Sequence, residues 1–145
     1  MQNQETRLTP EEFTRRLGSL CLRGGGSGLP KKAADRHVLL RSMTLGLDPA
    51  RSLTEIEVNE ALQRWLAAVG SRIGTDHVSL RRELVDAGYL ARDSDGSAYR
   101  VGRPQGTGII FEDGIESVRP EEALAAAEAE AERKRREHRT RSPES

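Results

Sequence analysis

The residues that most often carry catalysis are few and scattered along this sequence. Cys21 is the only cysteine, and His37, His77 and His138 are the only histidines. They fall in separate predicted elements, and neither a His-x-x-x-His nor a Cys-x-x-Cys spacing occurs to place metal ligands together. Because an active site needs converging groups, we expect no enzyme, no metal and no other cofactor.

A glycine-rich segment raises the separate question of phosphate binding. Residues 23–28 read Arg-Gly-Gly-Gly-Ser-Gly. A phosphate-binding loop would continue with Gly-Lys-Ser/Thr into a helix and would follow a strand. Here Leu29-Pro30-Lys31-Lys32 follows, and no strand is predicted before it. The segment is therefore interpreted as a flexible linker.

Basic side chains around a predicted helix and hairpin fit nucleic-acid binding better. An outward helix face carries residues that contact base edges or phosphates, and hairpin arginines contact the backbone. The candidate contacts are Ser79, Arg81 and Arg82 on the helix, Arg92 and Arg100 on the hairpin, and Lys31 and Lys32 before an earlier helix.

These residues depend on a helix that leads directly into a hairpin. Thr75 or Asp76 can cap the helix, while Leu80 and Leu84 form an apolar stripe with Ala87. Gly88 is typical of a helix C-terminus, because glycine adopts the left-handed conformation at little cost. Asp95-Gly96 then predicts a tight turn between alternating residues, which would place Arg92 opposite Tyr99 and Leu90 opposite Val101.

The preceding segment supplies the other elements of a winged helix-turn-helix. Pro30 to Leu45 is predicted to be helical, and Arg51 to Leu53 could form a short strand. Thr54 and Glu57 form a capping box before a helix. Its apolar stripe is Val58, Ala61, Leu62, Trp65 and Val69, which predicts that Trp65 lies in the core. The order helix, strand, helix, helix, hairpin predicts an α+β winged helix over residues 29–102.

The two ends are predicted as additions to that domain. In residues 1–28, Thr9-Pro10-Glu11-Glu12 begins a helix whose stripe contains Phe13, Leu17, Leu20 and Cys21. This stripe either packs on its own domain or, at Phe13, Leu17 and Cys21, meets a protein partner. Residues 103–145 are predicted to form a short hairpin around Glu112-Asp113, then a solvated charged helix from Pro120 that frays into a disordered end.

Composition sets the broad class of protein. The 145 residues include 23 basic and 23 acidic side chains, so net charge alone indicates no particular partner. The single cysteine and the absence of an apolar signal core or long apolar stretch suggest a cytoplasmic protein without a membrane span. Frequent arginine and alanine hint at a bacterial source.

The segment from Leu29 to Val101 resembles a bacterial family called domain of unknown function 2087. The resemblance rests on Leu29-Pro30-Lys31-Lys32, Thr54-Glu55-x-Glu57-Val58-Asn59 and, most specifically, Arg81-Arg82-Glu83-Leu84-Val85-Asp86. Members of this family occur alone or fused to helix-turn-helix transcriptional regulators. The resemblance therefore implies a regulatory setting without implying a mechanism.

Function is accordingly expected to be DNA or RNA binding by a transcriptional-regulator-like winged helix. The alternative is a winged-helix adaptor that binds protein and no nucleic acid. Acidic residues next to the candidate arginines favour that alternative, since they repel phosphate: Glu83, Asp86, Asp93 and Asp95.

Overall fold

The computed structural model describes residues 5–141 as a mixed α+β fold. Five helices occur in this range: α1 (Pro10–Arg23), α2 (Ala33–Thr44), α3 (Glu55–Trp65), α4 (His77–Ala87) and α5 (Pro120–Arg141). The strands are β1 (Thr6–Leu8), β2 (Leu53–Thr54), β3 (Leu90–Arg92), β4 (Ala98–Val101) and β5 (Ile109–Phe111). A π-helical turn, Leu66–Gly70, extends α3, and a 3-10 turn spans Ile115–Ser117.

A three-stranded antiparallel sheet with order β2-β4-β3 lies at the centre of the chain. The predicted hairpin register is confirmed, because Arg92 pairs with Tyr99 and Leu90 with Val101. Leu53 pairs with Tyr99 from the other side, so a short strand is present, but it begins two residues later than predicted and ends one residue later.

Helix boundaries in this central part follow local side-chain chemistry. Thr54 and Glu57 form the predicted capping box. Asp76 accepts a hydrogen bond from the Ser79 N–H at 2.7 Å and caps α4. Gly88 ends α4 with a φ of 90°, a left-handed conformation that a residue with a Cβ adopts only with strain.

The core forms where the predicted stripes of α3 and α4 meet α2. Leu80 and Leu84 are fully buried, as is Val58. Trp65 is also buried, and its indole N–H donates to the Ser42 hydroxyl at 3.0 Å, so the prediction that this tryptophan is a core residue is confirmed. The bond satisfies the one polar group that a buried tryptophan brings into a core.

The segment before α2 differs from its prediction. The helix was expected from Pro30, but it begins at Ala33 and has no side-chain cap. The glycine-rich segment is a packed connection, since the N–H groups of Gly25 and Gly26 donate to the Arg72 carbonyl, and that of Gly28 donates to the Ile73 carbonyl at 2.8 Å. The interpretation as a flexible linker was therefore wrong.

The apolar stripe of α1 lies in the core and not on the surface. Phe13, Leu17 and Cys21 are each 0% exposed. Phe13 packs edge-on against Phe111 of β5, with ring centroids 5.7 Å apart. The suggestion that these three residues meet a protein partner is therefore corrected: other parts of this chain already bury them, as the alternative prediction held.

Burial lowers the reactivity of the Cys21 thiol. Desolvation raises its pKa from 9.0 to about 12, and the thiolate is the reactive form. We expect a disulfide reagent such as Ellman's reagent to react at least about a hundredfold more slowly with the native protein than with the protein unfolded in guanidinium chloride. Absorbance of the released thiolate measures both rates, and equal rates would contradict the burial of α1.

The segment after β4 does not form the predicted hairpin. β5 pairs in parallel with β1, so that Thr6 lies opposite Ile109 and Leu8 opposite Phe111. Residues Ile115–Ser117 form a 3-10 turn instead of a strand, and Ile115 is buried. The sequence around Glu112-Asp113 was taken as a turn between local partners, whereas the partner of β5 comes from the other end of the chain.

α5 is a structural part of the fold along its first three turns. Ala123 is buried, and a Cβ added to Gly18 of α1 would lie 2.3 Å from the Ala123 carbonyl oxygen. Small residues thus let the two helix backbones approach closely. The prediction of a solvated helix holds only for residues 133–140, which are all exposed. The predicted disordered end, residues 142–145, lies outside the described residues.

Candidate nucleic-acid interface

The outward face of α4 presents a short polar surface. Leu80 and Leu84 face the core, while Ser79, Arg82 and Asp86 are exposed. Arg82 forms no salt bridge with any residue between 5 and 141. Its guanidinium can therefore contact a partner without first breaking an internal ion pair.

Arg81, which precedes Arg82 in the sequence, is partly buried and contacts residues of α3. Its side chain is 20% exposed, donates to the Asn59 amide oxygen and lies 3.6 Å from a Glu55 carboxylate oxygen. Glu55 also accepts a hydrogen bond from the Tyr99 hydroxyl at 3.1 Å. Arg81 therefore links α4 to α3 and, through Glu55, to Tyr99 of the hairpin, so its guanidinium is less free to contact a partner than that of Arg82.

The two hairpin arginines lie on opposite faces of the strands. Arg92 shares the face of its partner Tyr99, and its guanidinium carbon lies 5.9 Å from the Tyr99 ring centroid. Arg100 pairs with Ala91 on the other face, where both residues are exposed. Only Arg92 is on the side that packs toward α3, so a single flat partner would not contact both arginines in the same way.

The two lysines, Lys31 and Lys32, lie before α2, and both are exposed. Lys32 lines the groove between α1 and α5 together with Arg16 and Lys134, and no residue of α4 or the hairpin lines that groove. The structure therefore places Lys32 at a groove that the candidate arginines do not line.

Acidic groups remain prominent around the arginines. Asp93 and Asp95 are exposed at the hairpin turn. The Ser97 N–H and hydroxyl donate to Asp95 at 3.0 and 2.7 Å, and hydrogen bonding from this backbone N–H lowers the pKa of the Asp95 carboxyl. Glu83 forms a salt bridge with Arg36 of α2. The charge of this carboxylate is therefore partly neutralised within the protein and repels phosphate less than the other three.

Two exposed apolar residues were not among the predicted site residues. Ile56 in the first turn of α3 is 68% exposed, and Val78 in the first turn of α4 is 43% exposed. Among the described residues, these two are the large hydrophobic side chains that are exposed. Ile56 follows the cap Thr54 by two residues, and Val78 follows the cap Asp76 by two. These positions in the first helical turn would have predicted that both side chains are exposed.

The histidines do not form a reactive cluster among the described residues. His37 is hydrogen-bonded through Nδ1 to the Tyr89 hydroxyl at 2.9 Å, and burial followed by the nearby Arg36 lowers its pKa. His77 lies in the first turn of α4 and His138 on α5. Within residues 5–141 no group of three or more potential ligands is placed to hold a metal ion.

The same range contains no helix that combines the length and the apolar character needed to cross a membrane. No curated protein and no solved structure matches the chain significantly. A family model described as "Uncharacterized protein conserved in bacteria (DUF2087)" matches residues 27–101, which contain α2, β2, α3, α4 and the hairpin. The chain therefore belongs to the DUF2087 family.

Proposed function

We propose that residues 29–102 form a winged helix-turn-helix that binds DNA in the manner of a transcriptional regulator. In this assignment α2, α3 and α4 are the three helices, β2 is the first strand, and β3 and β4 form the wing. The sheet order β2-β4-β3 supports it, because the strand before the second helix pairs with the last strand of the hairpin. α4 is then the helix that enters the major groove.

The observation that carries the proposal is the exposed Arg82 on α4, which pairs with no acidic residue of the described range and has Ser79 one turn earlier. An arginine on this face can donate two hydrogen bonds to a guanine edge or to a phosphate. Arg92, which is held against Tyr99, would contact the DNA backbone from the wing. Arg81 and Lys32 are left out, since Arg81 contacts Asn59 and Glu55 and Lys32 lines the groove between α1 and α5. Lys31, which is exposed before α2, stays a candidate phosphate contact.

Affinity is expected to be modest and dependent on salt. The surface has few free cations, and the carboxylates of Asp86, Asp93 and Asp95 oppose phosphate. With one or two phosphate contacts, the logarithm of the binding constant should fall with the logarithm of salt concentration at a slope of roughly −1 to −2.

Fluorescence titration of labelled duplex DNA over a salt series tests this function. Arg82→Ala and Arg92→Ala should each weaken binding, and loss of a phosphate contact should flatten the salt slope by about one unit. Arg100→Ala changes the opposite face of the same hairpin and is the matched control, expected to have the smaller effect. Arg15→Ala on α1 should have none, because Arg15 is exposed on an element outside the proposed domain.

Binding no tighter than the nonspecific range of roughly 10⁻⁴ to 10⁻⁶ M on any duplex would contradict the DNA-binding proposal. A parallel titration with duplex RNA distinguishes the two nucleic acids. An equal loss for Arg82→Ala and Arg15→Ala would show that α4 does not form the interface, even if the protein binds DNA.

The second candidate is a protein-binding adaptor, which the exposed Ile56 and Val78 favour. Apolar side chains at the centre of an interface contribute more to protein recognition than to phosphate recognition. The paired substitution Ile56→Ser with Val78→Ser should then abolish capture of a partner that the wild type retains, whereas Arg15→Ala should retain it. Equal capture by all three proteins would contradict the adaptor function.

A further inference from the structure

A cavity of about 660 Å³ lies beside the end of α2. Its walls come from the end of α2, the end of β4, β5 and the 3-10 turn. The apolar part of the lining includes Leu45, Leu47, Val101, Ile109, Phe111 and Ile115. This volume is within the range of roughly 300 to 1,000 Å³ that small-molecule sites occupy.

Arg41 is a partly buried cation in that lining that makes no direct salt bridge to the described residues. It forms no salt bridge with any residue between 5 and 141. Its one hydrogen bond to a described residue runs from a guanidinium nitrogen to the Thr44 hydroxyl at 3.4 Å. No buried side-chain nitrogen or oxygen of these residues lacks a partner. The remaining Arg41 nitrogens therefore reach open space.

The electrostatic surroundings agree with a cation that lacks a direct partner. Burial is the largest influence on the pKa of Arg41 and lowers it; the charges of Tyr89 and Glu116 raise this pKa, and the charge of Arg103 lowers it. Glu116 accepts from the Gly114 N–H at 3.1 Å with both carboxylate oxygens. Because a guanidinium stays protonated, the Arg41 side chain keeps its positive charge and presents hydrogen-bond donors in a fixed geometry.

The other charges of the cavity limit what kind of anion fits. Arg103 adds a second positive charge to the lining, whereas Glu112, Asp113 and Glu116 add three negative ones. The three carboxylates repel a multiply charged anion such as phosphate more strongly than they repel an anion with a single charge. A single carboxylate needs only one guanidinium and matches its paired donors.

We propose that this cavity binds a small molecule with one carboxylate and an apolar body, and that Arg41 is the counter-ion of the carboxylate. The apolar body lies against β5 and the end of β4, and the carboxylate accepts hydrogen bonds from the guanidinium. This site is separate from the outward face of α4, and its occupation does not depend on whether the protein binds DNA.

Three acids, each compared with its neutral amide, test the site. Phenylacetate, hexanoate and L-phenylalanine are titrated by calorimetry and by thermal unfolding, alongside phenylacetamide, hexanamide, L-phenylalaninamide and inorganic phosphate. L-phenylalanine reports whether the acidic side of the lining accepts an ammonium group. At least one acid should bind and raise the unfolding midpoint with concentration, and its amide and phosphate should not.

Two variants and one control locate the binding. Arg41→Gln should weaken the bound acid by about tenfold or more, because it removes the charged hydrogen bonds. Ile110→Trp should exclude the same acid by filling the cavity; Ile110 lines it but is not part of the buried core, so folding is expected to persist. Arg82→Ala should bind as the wild type does.

Failure of all three acids to bind at millimolar concentration would overturn the proposal. So would equal binding of an acid and its amide, or unchanged affinity in Ile110→Trp. If Arg41→Gln does not fold, Ile110→Trp together with the acid and amide comparison still decides the question.

Discussion

Leu84→Ala is expected to lower the free energy of unfolding by about 2–5 kcal/mol. Leu84 is fully buried at the middle of α4, and truncation removes its packing and leaves a cavity. Its carbonyl also accepts the Tyr89 N–H at 2.8 Å where α4 ends. Because the backbone is unchanged, the loss should come from the side chain alone.

Urea unfolding followed by circular dichroism measures this change. Arg82→Ala is the matched control on the same helix, and an exposed side chain of this kind should change stability by no more than about 0.5 kcal/mol. A loss for Leu84→Ala as small as that of the control would mean that α4 packs through another face. The comparison also validates Arg82→Ala as a variant for DNA titrations, since its fold should be intact.

Elements defined by neighbouring residues were the ones that the sequence predicted well. The caps Thr54 and Asp76 each accept a hydrogen bond from a backbone N–H three residues later. Gly88 ends α4 through its own left-handed backbone conformation. The register of Arg92 with Tyr99 follows from the position of Asp95-Gly96 in the hairpin. In each case the energy that decides the structure comes from a few consecutive residues, which a single sequence displays.

Elements defined by distant partners were not predicted. β5 finds its partner in Thr6–Leu8, and no local pattern in either segment specifies the other. The same holds for α5, whose close approach depends on Gly18 having no side chain. Alanines on a charged helix indicate high helix propensity as readily as a small-residue contact, so burial of Ala123 had no distinct sequence signal.

The candidate site shows the same division between local and distant information. The spacing of residues along α4 was sufficient to predict that Ser79 and Arg82 are exposed and that Leu80 is buried. It did not reveal that Glu55 and Asn59, one helical turn apart on α3, would face Arg81. Likewise, no pattern around Arg41 indicated that it would line a cavity together with residues of β5 and the 3-10 turn.

Deletion of residues 120–145 is expected to destabilise the fold strongly and to broaden its unfolding transition. The deletion removes Ala123 and the other α5 residues that pack along α1, and it uncovers the face of α1 that contains Gly18. α1 carries Phe13 and Leu17 in the core, so loosening α1 affects the whole domain. Thermal unfolding followed by circular dichroism compares the truncated and full chains.

Deletion of residues 133–145 alone is the matched control. Side chains from Arg133 to Thr140 are exposed, and their salt bridges, such as Arg133 with Glu130, are surface pairs worth little. This shorter deletion should leave the midpoint almost unchanged. Equal midpoints for both deletions would contradict the role of α5 in the core.

Gly18→Ala separates close packing of the two helices from a general need for a longer chain. In the full chain the new Cβ would lie 2.3 Å from the Ala123 carbonyl oxygen, and overpacking of this kind costs about 1–3 kcal/mol. Without residues 120–145 that oxygen is gone, and alanine should stabilise α1 by up to about 1 kcal/mol through helix propensity. Gly46→Ala, where a Cβ meets nothing within 4 Å, should not change sign between the two chains. A reversal of sign confined to position 18 therefore requires that α5 contact α1 in solution.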